Sequence, residues 1–128
     1  RRGYFIETYT IMYQDAGVKK EVTVSAEELI PVLLQKRRNF EIVEVKNEEI
    51  DTILKREKDR LLEDWKDISN KKDVLHLIEA KMIELIQKDF MFEREFIQRM
   101  KKIRKLEEEN FSLQAFKEKV IAIYLEEE

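Results

Sequence analysis

An apolar stripe of helical period runs through the second half of the chain. Apolar residues spaced three or four apart share one face of a helix, and after Pro31 the chain has no glycine or proline to end one. The pattern therefore predicts helices over residues of about 48–69, 73–108 and 113–126. The positions of the longest stripe are Leu75, Ile78, Met82, Leu85, Phe92, Phe96, Met100, Ile103 and Leu106.

The segment 73–108 admits two interpretations. Its spacing favours one long helix, continuous or bent near Asp89. The alternative is two helices divided at that residue, because the apolar triplet Phe90–Phe92 covers too many faces for a single seam. Asn47, Asp73 and Ser112 carry side chains suited to capping the starts of the predicted helices.

The first 46 residues show the alternation and composition of strands. Residues 4–13 and 18–24 are rich in β-branched and aromatic residues around a turn at 14–17, and a third such segment covers 40–46. Between them, Ser25 and Glu28 have the spacing of a capping box for a helix that ends near Asn39. Pro31 is expected to delay or kink that helix.

Together these patterns predict an α+β fold in two parts. Residues 1–46 form a small ββαβ module, with an antiparallel three-stranded sheet of order 2-1-3 and one helix, since a right-handed crossover puts the third strand beside the first. Residues 47–128 form a long helical hairpin or a small helical bundle.

The composition of the chain excludes several classes of protein but does not identify a function. Charged residues make up 41% of the chain, yet the net charge is only −3, and there is no cysteine. No apolar run is long enough to span a bilayer, so a cytoplasmic protein without membrane contact is expected. Two distant glycines make no phosphate loop. We therefore expect no cofactor and no enzymatic activity.

One histidine offers the only candidate for metal binding. His76 is spaced so that Asp73 and Glu79 lie on adjoining helical turns. A bundle metal site normally takes such groups from several helices. We favour a partly exposed histidine that borders the stripe at Leu75 and Ile78 and makes ordinary helix ion pairs, and therefore no metal.

The leading functional hypothesis is a protein-binding surface. A long helix with apolar residues on several faces needs a partner to cover them, which favours an interaction or adaptor protein with a regulatory or inhibitory role that binds another protein and forms a homo-oligomer. The predicted contact residues are Trp65, Phe90, Phe92, Phe96, Met100 and Ile103.

The alternative is a nucleic-acid-binding protein. Cations cluster at the end of the first predicted helix and along the second half of the long one, where they could follow a phosphate backbone. Glutamates at 107–109 follow immediately and would repel phosphates, so this hypothesis ranks second. Its residues are Arg37, Arg38, Arg94, Lys101, Lys102 and Lys105.

Overall fold

The computed structural model describes residues 7–127 and confirms the α+β class. Within them, a three-stranded antiparallel sheet is combined with five helices. The elements are β1 (Thr8–Asp15), β2 (Val18–Ser25), α1 (Leu29–Asn39), β3 (Glu41–Val45), α2 (Ile50–Asp64), α3 (Lys71–Gln87), α4 (Glu93–Glu107) and α5 (Leu113–Tyr124).

The chain forms two compact units that meet, along the sequence, between Lys55 and Arg56. We call them the N-terminal and the C-terminal unit. The division lies later than the boundary predicted after residue 46, because the beginning of α2 belongs to the N-terminal unit, where Ile53 and Leu54 are buried.

The sheet has the predicted order β2-β1-β3. β1 and β2 form a hairpin in which Asp15 pairs with Val18. The two residues between them, Ala16 and Gly17, have φ angles of 52° and 81°, the left-handed values of a tight type I′ turn. Residues 4–6 of the predicted first strand lie outside the described residues.

One face of the sheet carries the core of the N-terminal unit. α1 contacts all three strands, and the buried side chains on the sheet include Ile11, Val24 and Val45. The opposite face is polar, as Thr10 and Thr23 show, whose hydroxyl oxygens lie 3.1 Å apart on paired strands.

The capping box predicted at Ser25 is wrong. Ser25 is the last residue of β2, and α1 begins at Leu29 after Glu28, whose side chain makes no capping hydrogen bond. The proline lies in the first turn of α1, where an amide hydrogen has no helical partner to lose. Pro31 therefore does not interrupt α1. The helix ends at Asn39, close to the predicted position.

The cap predicted at Asn47 is also wrong. Asn47 has a φ of 74° and lies in the turn that leaves β3, and α2 begins only at Ile50. Asparagine tolerates this left-handed conformation better than most residues, so it stabilises the turn instead of the helix end.

The remaining helix starts are close to prediction. α3 begins after Asn70, whose Oδ1 accepts a hydrogen bond of 2.9 Å from the amide of Asp73. The cap is thus Asn70 and not Asp73. Ser112 caps α5 as predicted, because its Oγ accepts a hydrogen bond of 3.1 Å from the amide of Ala115.

The favoured single helix over 73–108 is wrong, and the alternative of two helices is correct. Asp89 has a φ of 63°. The amide of Phe90 donates to the carbonyl of Leu85 at 2.8 Å, and the amide of Asp89 donates to that of Ile86 at 3.0 Å. This pair of bonds is a Schellman motif, so Asp89 takes the position that glycine usually holds at the end of a helix.

The C-terminal unit is a small helical bundle in which α3, α4 and α5 contact one another. None of the described helices combines the length and apolar character required to cross a membrane. The largest fully buried side chains of the C-terminal unit are Val74, Ile78, Met82, Ile103, Phe116, Ile121, Tyr124 and Leu125.

Candidate protein-binding surface

The break at Asp89 determines where Phe92 lies. Phe92 is the residue before α4, with an extended backbone, and its amide donates a hydrogen bond of 2.9 Å to Oε1 of Glu95. That bond fixes the start of the helix. Phe92 is thereby removed from the buried stripe, and 62% of its surface is exposed.

A row of exposed residues continues from Phe92 along α4. The guanidinium of Arg94 lies 5.5 Å from the centre of the Phe92 ring, a cation–π distance. Arg94, Ile97, Lys101 and Lys105 follow at steps of three or four, which place them on one side of the helix, and all four are exposed. We call Phe92 and these four residues the α4 surface.

Ile97 is a member of this surface that the sequence pattern did not single out. It is 49% exposed, and it lies between Arg94 and Lys101 on the polar side of α4. The available signal was an isolated apolar residue spaced at helical intervals from cations. This signal is weaker than that of the longer apolar stripe on the opposite side of the helix.

Two ion pairs mark the limits of the α4 surface. Arg104 lies beside it and faces α3, where its Nη2 is 3.1 Å from Oε2 of Glu79. On the buried side, Nη2 of Arg99 is 3.0 Å from Oε2 of Glu126, two residues beyond the end of α5. These two arginines are engaged within the unit.

The cations of the α4 surface are differently placed. Among residues 7–127, Lys101 and Lys105 lie within ion-pair distance of no carboxylate. Together with Arg94 they outnumber the carboxylates of the adjoining first turn, Glu93 and Glu95, by three to two. The surface is therefore electropositive, although the chain as a whole has a net charge of −3.

The other predicted protein-binding residues fall into two groups. Phe90 and Phe96 are half-buried and border the bundle. Trp65, Met100 and Ile103 are core residues with 5%, 2% and 0% of their surface exposed. The C-terminal unit covers all three side chains itself, so they leave no surface for the predicted contact with a partner.

The predicted nucleic-acid-binding residues are divided between the two units. Arg94, Lys101, Lys102 and Lys105 are exposed on α4. Arg37 and Arg38 lie in the last turn of α1, in the N-terminal unit. There the positive charges complement the negative end of the helix dipole.

The described residues show little that suggests metal chemistry. His76 is exposed, and residues 7–127 contain no group of three or more histidine, cysteine, aspartate or glutamate side chains arranged to hold an ion.

A shallow depression lies where β3 leads into α2. Acidic side chains dominate its rim, and its lining comprises Val43, Glu44, Val45, Asn47, Glu48, Glu49, Ile50, Asp51 and Thr52.

Comparison with known proteins adds no functional information. No protein-family model matches the chain, and no curated protein or solved structure gives a significant match.

Proposed function

We propose that this chain is a non-enzymatic protein-binding module, with an adaptor or regulatory role, that contacts its partner through the α4 surface. The observation that carries this proposal is the exposure of Phe92 and Ile97, at 62% and 49%, on one short stretch of the C-terminal unit. Burial of a large apolar side chain contributes roughly 1.5–3 kcal/mol, so covering both would be a substantial part of a binding energy.

The composition of the α4 surface supports binding to a protein. Interfaces are typically organised as a few buried apolar or aromatic anchors surrounded by a polar rim. Phe92 and Ile97 have the character of such anchors, and Arg94, Lys101 and Lys105 that of the rim. The guanidinium of Arg94 also lies against the Phe92 ring, so an apolar anchor and a charged rim residue are in contact with each other.

The expected homo-oligomer is a separate proposal. A two-fold dimer brings the same surface of both copies together, so pairing through the α4 surface would place two electropositive rows against each other. This repulsion favours a different protein as the main partner. The mass of the purified chain by light scattering tests self-association directly.

The absence of cysteine agrees with a reducing compartment, and we propose a cytoplasmic location.

Quantitative affinity capture from the native cells tests the proposal. The bait is the full chain, compared with the double variant Phe92→Ser/Ile97→Ser. The matched control is Leu77→Ser/Ile83→Ser, because Leu77 and Ile83 are similarly exposed, at 45% and 40%, on α3. Circular dichroism and thermal unfolding first establish that all three baits are equally folded.

We expect the unmodified chain and the α3 control, Leu77→Ser/Ile83→Ser, to capture one or more proteins that the α4 variant, Phe92→Ser/Ile97→Ser, does not capture. Equal capture by all three baits, or loss only with the α3 control, would contradict it.

Nucleic-acid binding is the second candidate, and one observation favours it. Arg94, Lys101, Lys102 and Lys105 are all exposed on a single helix, as a phosphate-binding row requires. Titration of duplex and single-stranded oligonucleotides across a salt series decides the matter, since binding that neutralises several phosphates weakens steeply as salt increases. No binding at low salt would rule this function out.

A further inference from the structure

We infer that the α4 surface recognises an acidic, amphipathic segment of its partner, with apolar side chains placed against Phe92 and Ile97 and carboxylates against the flanking cations. The inference rests on the proposed function and adds the chemistry of the partner.

The charge of the surface points to carboxylates. Arg94, Lys101 and Lys105 lie on one side of α4, and among residues 7–127 neither lysine is paired with a carboxylate. By contrast, Arg104 is occupied by Glu79 at 3.1 Å. Complementary charge across an interface steers encounter and suppresses partners of the wrong sign, so this row selects against basic and for acidic segments.

The apolar residues point to an amphipathic partner. Ile97 lies between the cations, three residues after Arg94 and four before Lys101, so an apolar side chain that covers it is flanked by positive charge on both sides. A helix with leucine-like residues on one face and glutamates beside them matches that arrangement. The row from Arg94 to Lys105 is roughly 17 Å long at 1.5 Å per residue, enough for about three turns of a partner helix.

The same observations disfavour a phosphate backbone on this surface. Glu93 precedes the row and Glu107, Glu108 and Glu109 follow it, so a nucleic acid extending past either end would meet negative charge. A short peptide can end within the electropositive stretch.

Fluorescence anisotropy with designed probes tests the inference. The first probe is a labelled synthetic helix with leucines on one face and glutamates beside them. The second replaces the glutamates by glutamine, the third replaces the leucines by serine, and the fourth is a labelled DNA duplex. The protein is the full chain, compared with Lys101→Glu/Lys105→Glu and with a matched control, Lys72→Glu/Lys119→Glu, at two exposed lysines of α3 and α5.

We expect the acidic amphipathic helix to bind at least about tenfold more tightly than the glutamine or the serine probe at low salt. Reversal of Lys101 and Lys105 should weaken that binding by at least about tenfold, whereas the control reversal should change it by less than about twofold.

Equal binding of the glutamine probe, binding of the duplex alone, or no binding by any peptide would overturn the inference. None of these results decides the proposed function, because the capture experiment with Phe92→Ser/Ile97→Ser tests apolar contact without reference to the partner's charge.

Discussion

Nζ of Lys117 lies 2.7 Å from the backbone carbonyl oxygen of Trp65 and donates a hydrogen bond to it. A second bond of 3.0 Å reaches the carbonyl of Ile68. Lys117 is only 4% exposed, and it ties α5 to the turn that follows α2. Both carbonyls lie in the segment between α2 and α3, so the buried ammonium fixes this connection by giving each of them a charged donor.

Replacing Lys117 by methionine should destabilise the C-terminal unit. The side chain keeps its length and apolar stem, but two carbonyls lose a charged donor, and such bonds contribute roughly 1.5–3 kcal/mol. Chemical denaturation should therefore give a lower free energy of unfolding for Lys117→Met. The control is Lys72→Met, at an exposed lysine, which should change stability by less than about 0.5 kcal/mol. Equal effects of the two substitutions would contradict a stabilising role for the two Lys117 hydrogen bonds.

Substitutions of Asp89 test the two-helix arrangement, because the arrangement determines whether glycine or alanine is more stable at this position. At a left-handed position glycine is favoured over alanine by roughly 1 kcal/mol, whereas inside a helix alanine is favoured by a similar amount. Since Asp89 has a φ of 63°, Asp89→Gly should be more stable than Asp89→Ala. Both variants lose the aspartate side chain, so its own contacts cancel. Urea denaturation of the pair measures the difference, and the opposite order would indicate a continuous helix.

Ala16 is expected to be a site where the hairpin can be improved. Its φ of 52° is unfavourable for alanine, while asparagine followed by glycine is the preferred pair in a type I′ turn. Ala16→Asn should raise the free energy of unfolding of the N-terminal unit by about 0.5–1 kcal/mol. Thermal unfolding followed by circular dichroism checks this, with Ala26→Asn as a control at another exposed alanine. A stabilisation no larger than that of the control would argue against the turn type.

Tyr124 should make the stability of the C-terminal unit sensitive to alkaline pH. Burial raises the pKa of its phenol, and the nearby Glu57 raises it further. In the unfolded chain a tyrosine ionises near pH 10. Above that pH the unfolded state has lost a proton that the folded state retains, so the free energy of unfolding falls as pH rises.

The comparison that isolates this effect is between the natural chain and Tyr124→Phe. Above about pH 10 the natural chain should lose up to about 1.4 kcal/mol per pH unit more than the variant. Denaturation curves at neutral pH and at several alkaline values provide the measurement. Parallel losses in both proteins would show that this phenol does not titrate differently in the folded state.

Much of the fold could be predicted from local patterns, and its exceptions have physical causes. Strand composition and connection handedness were sufficient for the sheet order β2-β1-β3. The break at Asp89 was only an alternative, because a non-glycine residue in the left-handed region leaves no distinct mark in the sequence. It is maintained by the two backbone bonds of the Schellman motif and by the packing of α3 on α4.

The candidate surface was harder to predict than the fold. Phe92 was singled out, but it was grouped with Met100 and Ile103, which are 2% and 0% exposed. An apolar stripe shows which side of a helix is buried, not whether the cover comes from the same chain. Ile97 was missed because it lies on the other side of α4, and only the packing of the bundle shows that this side remains exposed.

The most direct test of the α4 surface is photo-crosslinking in the native cells. A photoreactive phenylalanine analogue is placed at position 97 of the full chain, and a control carries it at position 63, an exposed glutamate on α2. We expect a discrete adduct with another protein from position 97, absent from position 63 and abolished when Phe92→Ser is combined with the analogue at position 97. No adduct, or the same adducts from both positions, would contradict the claim that this surface binds a protein.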